Sequence, residues 1–492
     1  MLAIPPSLES RPFVPNPAVK PMSFATLGVP TSLVAVLTKR GIDAPFPIQT
    51  ATLPDTLAGR DVLGRGRTGS GKTLAFALPM VARLNSTNGA AAGSRRPQAG
   101  RPRGLVLAPT RELATQITEV IQPLAAAAGL SVMTIFGGVS QYQQTQKLAR
   151  GIDIVVATPG RLEDLIRQGH VRLDRVEVTV LDEADHMADL GFLPGVTRIM
   201  SATPQSSQRL LFSATLDRGV DRLVKQFLHQ PLVHSVDSEQ SPVQAMTHHI
   251  FLVRDAGQKA EIVRTLASGR GRRLLFTRTK HQARKLARQL TGQGIPAVEM
   301  HGNLSQRSRE RGLTAFASGE VRVMVATDIA ARGIHVDEIE LVVHVDPPAE
   351  HKAYLHRSGR TARAGHAGDV VTLVLPEQRN DFRTLARAAK IQVEPVSVRA
   401  EDSQLRDLVG GVAATVAPEA APRAAASASH ATDDQNQSSR GRRPSAGART
   451  GARTGARTGT RTSTRSGGPA SVSRSSRGSR GPQRGAQLRR SA

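Results

Sequence analysis

Two α/β domains, each built on a parallel sheet, are what this sequence predicts, and three observations carry the prediction. Short runs rich in Val and Leu recur without polar alternation, segments of helix length separate them, and chemically distinctive residues come directly after the runs. Continuous apolar runs mark strands buried on both faces, as in a parallel sheet covered by helices. In the first half they are DVLG (61–64), GLVLA (104–108), SVMTIF (131–136), DIVVA (153–157), EVTVL (177–181) and RLLFS (209–213). In the second half they are RRLLFT (272–277), AVEM (297–300), VRVMVA (321–326), LVVHV (341–345) and DVVTLVL (369–375). Eleven strands over about 370 residues suggest two domains rather than one. The join is expected near QFLHQPLVHSVDSEQSPVQ (226–244), where Pro, Ser and His mix and periodicity fades. This divides the chain into an N-terminal extension (1–20), a first domain (21–235), a second domain (236–395) and a tail (396–492).

Composition bounds what surrounds these domains. Apolar residues make up 39% of the 492 residues and aromatics 3%, so part of the length is expected not to fold. Lys and Arg number 66 against 40 Asp and Glu, a formal charge of +26, which makes a polyanion the default partner. An acidic membrane surface is the competing one. From Arg440 to Ala492 there are fourteen Arg, no Lys and no acidic residue. That stretch includes GARTGARTGARTGTRT, with Arg449, Arg453, Arg457 and Arg461 four apart. Gly and Thr between them are poor helix formers and nothing apolar is present to bury, so a disordered basic tail is expected. It serves either as a spacer or as a sequence-blind tether for a polyanion. A second low-complexity stretch, Asn85 to Gly104, reads as a flexible basic loop. The chain has no Cys, which excludes disulfides and Cys-ligated zinc and fits a reducing cytoplasm. Its N-terminus shows no signal-peptide pattern, and no stretch is long and apolar enough to span a bilayer. A soluble, cytoplasmic protein is expected.

In open α/β sheets ligands bind beyond the carboxyl ends of the strands, so the residues just past each run matter most. After the first run comes GRTGSGKT, Gly66 to Thr73, a fit to G-x-x-x-x-G-K-T between a strand and a helix. Its glycines let backbone N–H groups turn onto phosphate oxygens at a helix N-terminus. Lys72 would reach the β- and γ-phosphates and Thr73 would ligate magnesium; the bland alternative is a chance Gly-rich turn. VTVLDEADHM (178–187) runs a buried strand into three carboxylates within four positions. Alone this fits a solvated acidic turn or an acidic helix N-terminus as well as a metal site. Paired with a phosphate loop at the same sheet edge, it matches a phosphate-loop ATPase. Asp182 then holds the metal, Glu183 orients or deprotonates water, and Asp185 accepts hydrogen bonds from another motif.

DEAD at 182–185, SAT at 213–215, PTRELA at 109–114, TPGR at 158–161, ATDIAARGI at 326–334 and HRSGRTARAG at 356–365 resemble the motifs of the DEAD-box RNA helicase family. They fall in the family's order over roughly Phe24 to Pro376, and Ala, Gly and Arg usage fits a bacterial member. The resemblance implies two RecA-like domains that bind ATP, with Mg²⁺, and RNA across a shared cleft. It assigns Phe24 to stack on adenine and Gln49 to read its edge, although Gln49 alone would read as a helix cap. Gly66, Arg67, Thr68, Gly69, Ser70, Gly71, Lys72 and Thr73 would hold the nucleotide's phosphates and metal. Asp328, Gly333 and His335 lie on the ATP side of the second domain. Asp185, Ser213, Thr215, His356 and Arg357 would couple the domains, and Arg360 and Arg363 correspond to arginine fingers. RNA contacts carry over to Pro109, Thr110, Arg111, Gly137, Gly138, Thr158, Gly160 and Arg161, and to Arg278, Gln306, Arg309 and Thr327. Small residues and backbone donors suit backbone-directed, sequence-tolerant binding.

The chain departs from the family at His335, where an Asp is usual and Asp337 lies two residues on; weakened or pH-sensitive ribose recognition is expected. Phe46 stands for Thr, Gly66 for Ala and Ala362 for Gly, all expected to be tolerated. The expectation is an ATP-dependent RNA helicase with a monomeric core. An ATP-gated RNA clamp or annealing factor is the alternative, and a DNA helicase a weaker one.

Overall fold

The computed structural model describes residues 22–66, 69–86, 97–215, 218–236, 246–331, 336, 338–362, 368–422 and 424–425. The first sheet contains β1 (Val62–Arg65), β2 (Gly104–Leu107), β3 (Val132–Ile135), β4 (Ile154–Ala157), β5 (Val178–Leu181), β6 (Gln208–Ser213) and β7 (Leu232–Ser235). Their order is β3-β4-β2-β5-β6-β1-β7, and every pairing is parallel. The second sheet contains β8 (Met246–Leu252), β9 (Arg272–Phe276), β10 (Ala297–Met300), β11 (Val323–Ala326), β12 (Ile339–His344), β13 (Gly368–Val374) and β14 (Val396–Ser397). Its order, β10-β11-β9-β12-β13-β8-β14, is the first order with seven added to each strand, again all parallel. The fold is therefore two tandem RecA-like parallel-sheet domains.

The apolar runs explain why both sheets are sandwiched. Within β2, Val106 faces one core while Leu105 and Leu107 face the other; within β5, Val178 and Val180 take the first side and Leu181 the second. In the second domain Leu274 and Phe276 of β9 face one core and Leu275 the other. A period of two with both phases apolar is what burial on two faces demands.

All eleven expected strands are present, with small shifts at their ends. Three were missed: β7, β8 and β14. β7 has a single neighbour, β1, and alternates half-buried with exposed residues, so its apolar signal is halved. β8 reads MTHHIFL, and its two His hid it. His248 is nonetheless buried, its pKa pushed down to about 4 by desolvation, and its Nδ1 lies 2.9 Å from the Tyr354 hydroxyl. A neutral ring in such a place packs like an apolar one.

The expected tail start is corrected. Residues 396–422 belong to the second domain rather than to a disordered tail. β14 pairs with β8, and the helix Ser403–Val409 packs on the helix Ala256–Ala267. Val398, Leu405, Val409 and Ala425 are buried. Backbone bonds from Ala413 to Ser268 (2.8 Å) and from Val416 to Gly294 (2.9 Å) tie the segment along the domain. Its apolar anchors are few and widely spaced, so no periodic pattern betrays them. The expected loop at 85–104 is also anchored at its ends, by the helix Lys72–Ser86 and by an Arg103–Glu177 ion pair of 2.6 Å. The extension 1–20, the Arg-rich repeats and the middle of that loop lie outside the described residues.

Candidate functional site

Each sheet divides at its carboxyl edge into two halves. In the first domain β5, β6 and β1 lead into the acidic tetrad, Ser213 and the phosphate loop, while β2, β3 and β4 lead into Pro109–Arg111, Gly137–Gly138 and Thr158–Arg161. Backbone ladders continue one residue past the strands and pin the first loop residues: Gly66 N–H to Ser213 O (3.2 Å), Asp182 to Leu107 (3.0 Å), Thr158 to Ile135 (2.9 Å) and Thr327 to Met300 (3.1 Å).

The phosphate loop is shaped by glycine. Gly69 and Gly71 both have φ near +87°, a region costly for residues with a Cβ. At Gly71 a Cβ would also lie 2.5 Å from Gln49 Nε2 and 2.7 Å from the Phe46 ring. Gln49 is fully buried; its Nε2 donates to Gly71 O (2.8 Å) and its Oε1 accepts from Phe46 N–H (2.9 Å). It thus clamps the loop to the start of the helix Pro47–Leu57, which fits its reading as a cap. Lys72 is buried with Nζ donating to Gly66 O (2.6 Å), and Ser70 Oγ is buried without a hydrogen-bond partner. Thr73 lies in the first turn of the helix Lys72–Ser86. Phe24 departs from expectation: at 2% exposure it packs in the apolar core and has no open face for a base. Phe46, 54% exposed beside Gly71, is the accessible ring at this end. Arg67 and Thr68 lie outside the described residues.

After β5 the carboxylates are buried and individually partnered. Asp182 Oδ1 accepts from the Glu183 N–H (3.0 Å). Burial pushes its pKa up to about 7; the Lys72 charge opposes the shift, and Glu183 and Asp185 add to it. Glu183 has φ +50°, a left-handed backbone that costs a non-glycine residue about 1 kcal/mol and is typical of functional sites. Its Oε2 lies 2.7 Å from His186 Nδ1. Asp185 Oδ2 accepts from Thr215 N–H (2.9 Å) and Oγ1 (3.0 Å). Ser213 Oγ donates to Thr215 O (2.8 Å) and accepts from Asp185 N–H (3.3 Å). Burial would raise the Asp185 pKa, but His186, His356 and Lys72 beside it hold the carboxyl below its usual range.

Side-chain contacts join the two domains. His186 Nε2 lies 3.1 Å from His356 Nδ1. Arg309 Nε donates to Glu112 Oε1 (2.7 Å), with both side chains buried. Arg111 Nη1 donates to Gln306 Oε1 (3.4 Å). Arg309 and Gln306, expected to hold RNA, are thus engaged across the cleft, and Arg309 also donates to His301 O and Ala330 O (both 3.4 Å). Arg357 is likewise revised from an interdomain to an intradomain role. It grips Asp328 through two bonds (2.5 and 2.7 Å), donates to Asp346 O (2.7 Å), and its guanidinium lies 5.1 Å from the centre of the Phe276 ring. Asp328 therefore faces Arg357. Arg360 is buried and its Nε donates to His356 O (3.2 Å). Gly333, His335, Asp337 and Arg363 lie outside the described residues.

On the other half of the edge, Thr110 Oγ1 caps the helix Arg111–Ala127 by accepting from Leu113 N–H (3.2 Å). Gly138 has φ +81°, and a Cβ there would lie 2.2 Å from the Arg111 guanidinium. Burial lowers the Arg111 pKa, as do Arg309 and Arg161, against Glu112. Pro109 is buried, and Gly137 follows β3 on the same edge as Gly138. Thr158 and exposed Gly160 sit at the start of the helix Pro159–Arg167, and Arg161 Nη1 donates to Val139 O (3.5 Å). Arg278 is exposed after β9, its N–H held by Asp346 Oδ2 (3.1 Å). Sequence reasoning missed His186, Glu112 and Asp346. Their partners lie far away in the chain, and only the extra carboxylate of PTRELA hinted at one of them.

Comparison with known proteins agrees with this geometry. The DEAD/DEAH box helicase profile matches residues 46–223 and the helicase conserved C-terminal domain profile matches 258–365. The chloroplastic DEAD-box ATP-dependent RNA helicase 3A of Zea mays is 37% identical over 401 residues, covering 80% of this chain and 53% of that protein. RNA helicase CrhR of Synechocystis sp. is 38% identical over 378 residues, covering 76% of this chain and 74% of that protein. The structure of S. cerevisiae Dbp5 bound to RNA and ADP BeF3 superposes with a TM-score of 0.67 at 26% identity, covering 79% of this chain and 99% of that one. The chain spans about half the length of the maize relative. On these matches and the motifs they enclose, the chain belongs to the DEAD-box RNA helicase family.

Proposed function

We propose that the chain is an ATP-dependent RNA helicase that couples ATP hydrolysis between its two domains to local duplex opening or remodelling of RNA–protein complexes. One observation carries the reading: His186, directly after the acidic tetrad and on the same sheet edge as the phosphate loop, meets His356 of the second domain. The residues present suit a nucleotide and Mg²⁺. Ser70 Oγ is buried without a partner, Lys72 Nζ is folded onto a backbone carbonyl, and Asp182 is desolvated enough to hold a proton near neutrality. A nucleotide–metal complex provides each of them with a complementary charge or acceptor.

In this reading Gly66–Gly71 wrap the phosphates and Lys72 neutralises the β- and γ-oxygens, while Thr73 and Asp182 hold the metal. Mg²⁺ bound there supplies charge neutralisation to the leaving phosphate. Glu183 orients the attacking water and takes its proton, and Arg360 and Arg363 stabilise the transferring phosphoryl group when the second domain docks. The Phe46 ring, rather than Phe24, offers a stacking surface for the base. The edge built from Thr110, Arg111, Gly138, Gly160, Arg161, Arg278 and Thr327 receives the RNA backbone. Glu112–Arg309 and Arg111–Gln306 close the clasp beside it. The RNA and nucleotide held by yeast Dbp5 support both assignments. A bacterial lineage and a reducing cytoplasm, supported by the composition and the absence of Cys, and a monomeric core complete the proposal. Among the described residues no helix is long and apolar enough to cross a membrane.

The test is ATP turnover with single-stranded RNA or DNA, beside strand displacement from a short RNA duplex. RNA-specific stimulation, ATP-dependent strand release, and loss of both in Lys72→Ala are expected. ATP-dependent RNA retention without release would favour the clamp.

A further inference from the structure

We propose that His186 is a positioning residue that makes the carboxylate of Glu183 respond to docking of the second domain, through a relay of two imidazoles. The inference rests on the ATP-hydrolysing reading above. His186 follows the acidic tetrad directly and belongs to none of the motifs that carry the family resemblance.

For a Glu183 carboxylate and a neutral His186 imidazole, each hydrogen bond has one direction. A carboxylate only accepts, so at 2.7 Å from Glu183 Oε2 the Nδ1 of His186 carries the proton and donates. A neutral imidazole protonated at Nδ1 leaves Nε2 as an acceptor. The hydrogen bond of 3.1 Å to the second domain is therefore donated by His356 Nδ1. The rings meet edge to face, with centroids 4.3 Å apart and planes at 84°. Asp189 Oδ2, 4.0 Å from the same His356 nitrogen, is beyond hydrogen-bond reach.

Docking thus selects the tautomer of His186. With His356 in place, the proton on Nδ1 is aimed at Glu183. When the domains part, Nε2 loses its donor, the Nε2–H tautomer becomes competitive, and Glu183 loses the bond that orients it. The backbone N–H of His186 is anchored to Asp185 Oδ1 (3.1 Å), so the ring turns about a fixed base. Glu183 itself stands on a left-handed backbone at the entrance of the six-residue helix Ala184–Asp189, where side-chain contacts decide where its carboxylate points. The relay joins residues 170 apart in sequence and links the reacting edge of one domain to the helix His351–Ser358 of the other.

The test is steady-state ATP hydrolysis by the full chain with a saturating single-stranded oligoribonucleotide. His186→Ala should lower kcat by roughly tenfold to a hundredfold, the cost of a misplaced catalytic group, while KM for ATP and the affinity for ADP stay within about twofold. His186→Asn places an amide donor near the former Nδ1 and should recover more kcat than His186→Gln, whose amide reaches towards His356. His356→Ala should cost much less in the His186→Ala background than alone, since groups acting as one unit are not additive. Unchanged kcat in His186→Ala, additive losses in the double variant, or equal losses in the Asn and Gln variants would overturn the relay. A wild type that hydrolyses no ATP overturns the underlying reading, which the same assay reports separately.

Discussion

Asp182 sits where burial and function pull in opposite directions. Its pKa, raised by desolvation to about 7, means that the folded chain keeps a proton that the unfolded chain gives up near the ordinary carboxyl value. Stability from this group is therefore complete below about pH 4 and is lost as pH rises through 7, because in that window only the folded state still binds the proton. Asp182→Asn keeps the shape and removes the charge. In nucleotide- and metal-free protein it should be neutral at pH 4.5 and stabilising by on the order of 2–4 kcal/mol at pH 8. Denaturant unfolding at the two pH values checks this, and an equal difference at both would show that Asp182 is not the group responsible. Such a gain in stability, bought with activity, is usual for a reacting group. Ala362 carries a simpler burden. Its φ of +53° stands where the family's usual residue is Gly. The expectation that this exchange is tolerated holds only at a cost, because a Cβ in that region is unfavourable by about 1–2 kcal/mol before the lower chain entropy of Ala is credited. Ala362→Gly should raise stability by roughly 0.5–1 kcal/mol; a drop in the unfolding midpoint would sink the idea. Residues such as Lys72, Asp182 and Gly71 were legible in sequence because the chemistry demands those types at that spacing. Phe24 was not, since an aromatic residue looks the same in a core as at a base.

Elements were legible wherever both faces of a strand are buried, because then nearly every residue of the run is apolar, as in β2 and β4. Legibility failed at the sheet margins and where His replaced an aliphatic residue, as in β7 and β8. It failed again after residue 395. There the second domain is completed by a strap held largely through its backbone. Arg273, almost wholly buried, donates to Leu266 O (2.6 Å), Gly271 O (2.7 Å) and Val409 O (2.7 Å), so the strap supplies one acceptor to a buried cation. Removing it would leave part of that guanidinium unpaired, which is costly. It would also uncover the core around Leu405 and Ala425. Leu405→Ala alone should destabilise the second domain by about 2–5 kcal/mol. Ending the chain at 395 should lower the thermal midpoint far more than ending it at 425. Calorimetry of the two truncations decides the matter, and coincident midpoints would mean that the strap is ornamental.

The whole molecule repeats one seven-strand order twice, and side chains that include Glu112–Arg309, Arg111–Gln306 and His186–His356 join the two copies. Motifs recurred legibly along the sequence, but the pairs that join the copies did not, because Glu112 and Arg309 lie 197 residues apart and each alone reads as a surface charge. A clasp built on side-chain contacts is shifted by whatever occupies the cleft and favours one arrangement. RNA occupancy then depends on how much ligand the chain keeps nearby, and here the charge distribution matters. The Arg440–Ala492 stretch holds fourteen of the positive charges and no negative one, so it contributes more than half of the net +26. It has no aromatic residue, so base stacking is unavailable to it and any attraction for RNA would come from counterion release. Each phosphate neutralised on a single strand adds about 0.7 to the slope of log affinity against log salt. If about six of those arginines engage RNA, deleting 440–492 should reduce the slope by about 4. Binding should weaken markedly at low salt and converge with that of the full chain at high salt, while ATP turnover at saturating RNA is unchanged because the cleft keeps all its groups. Equal slopes for the full and shortened chains, measured by titrating an oligoribonucleotide between low and moderate salt, would leave the stretch as a spacer.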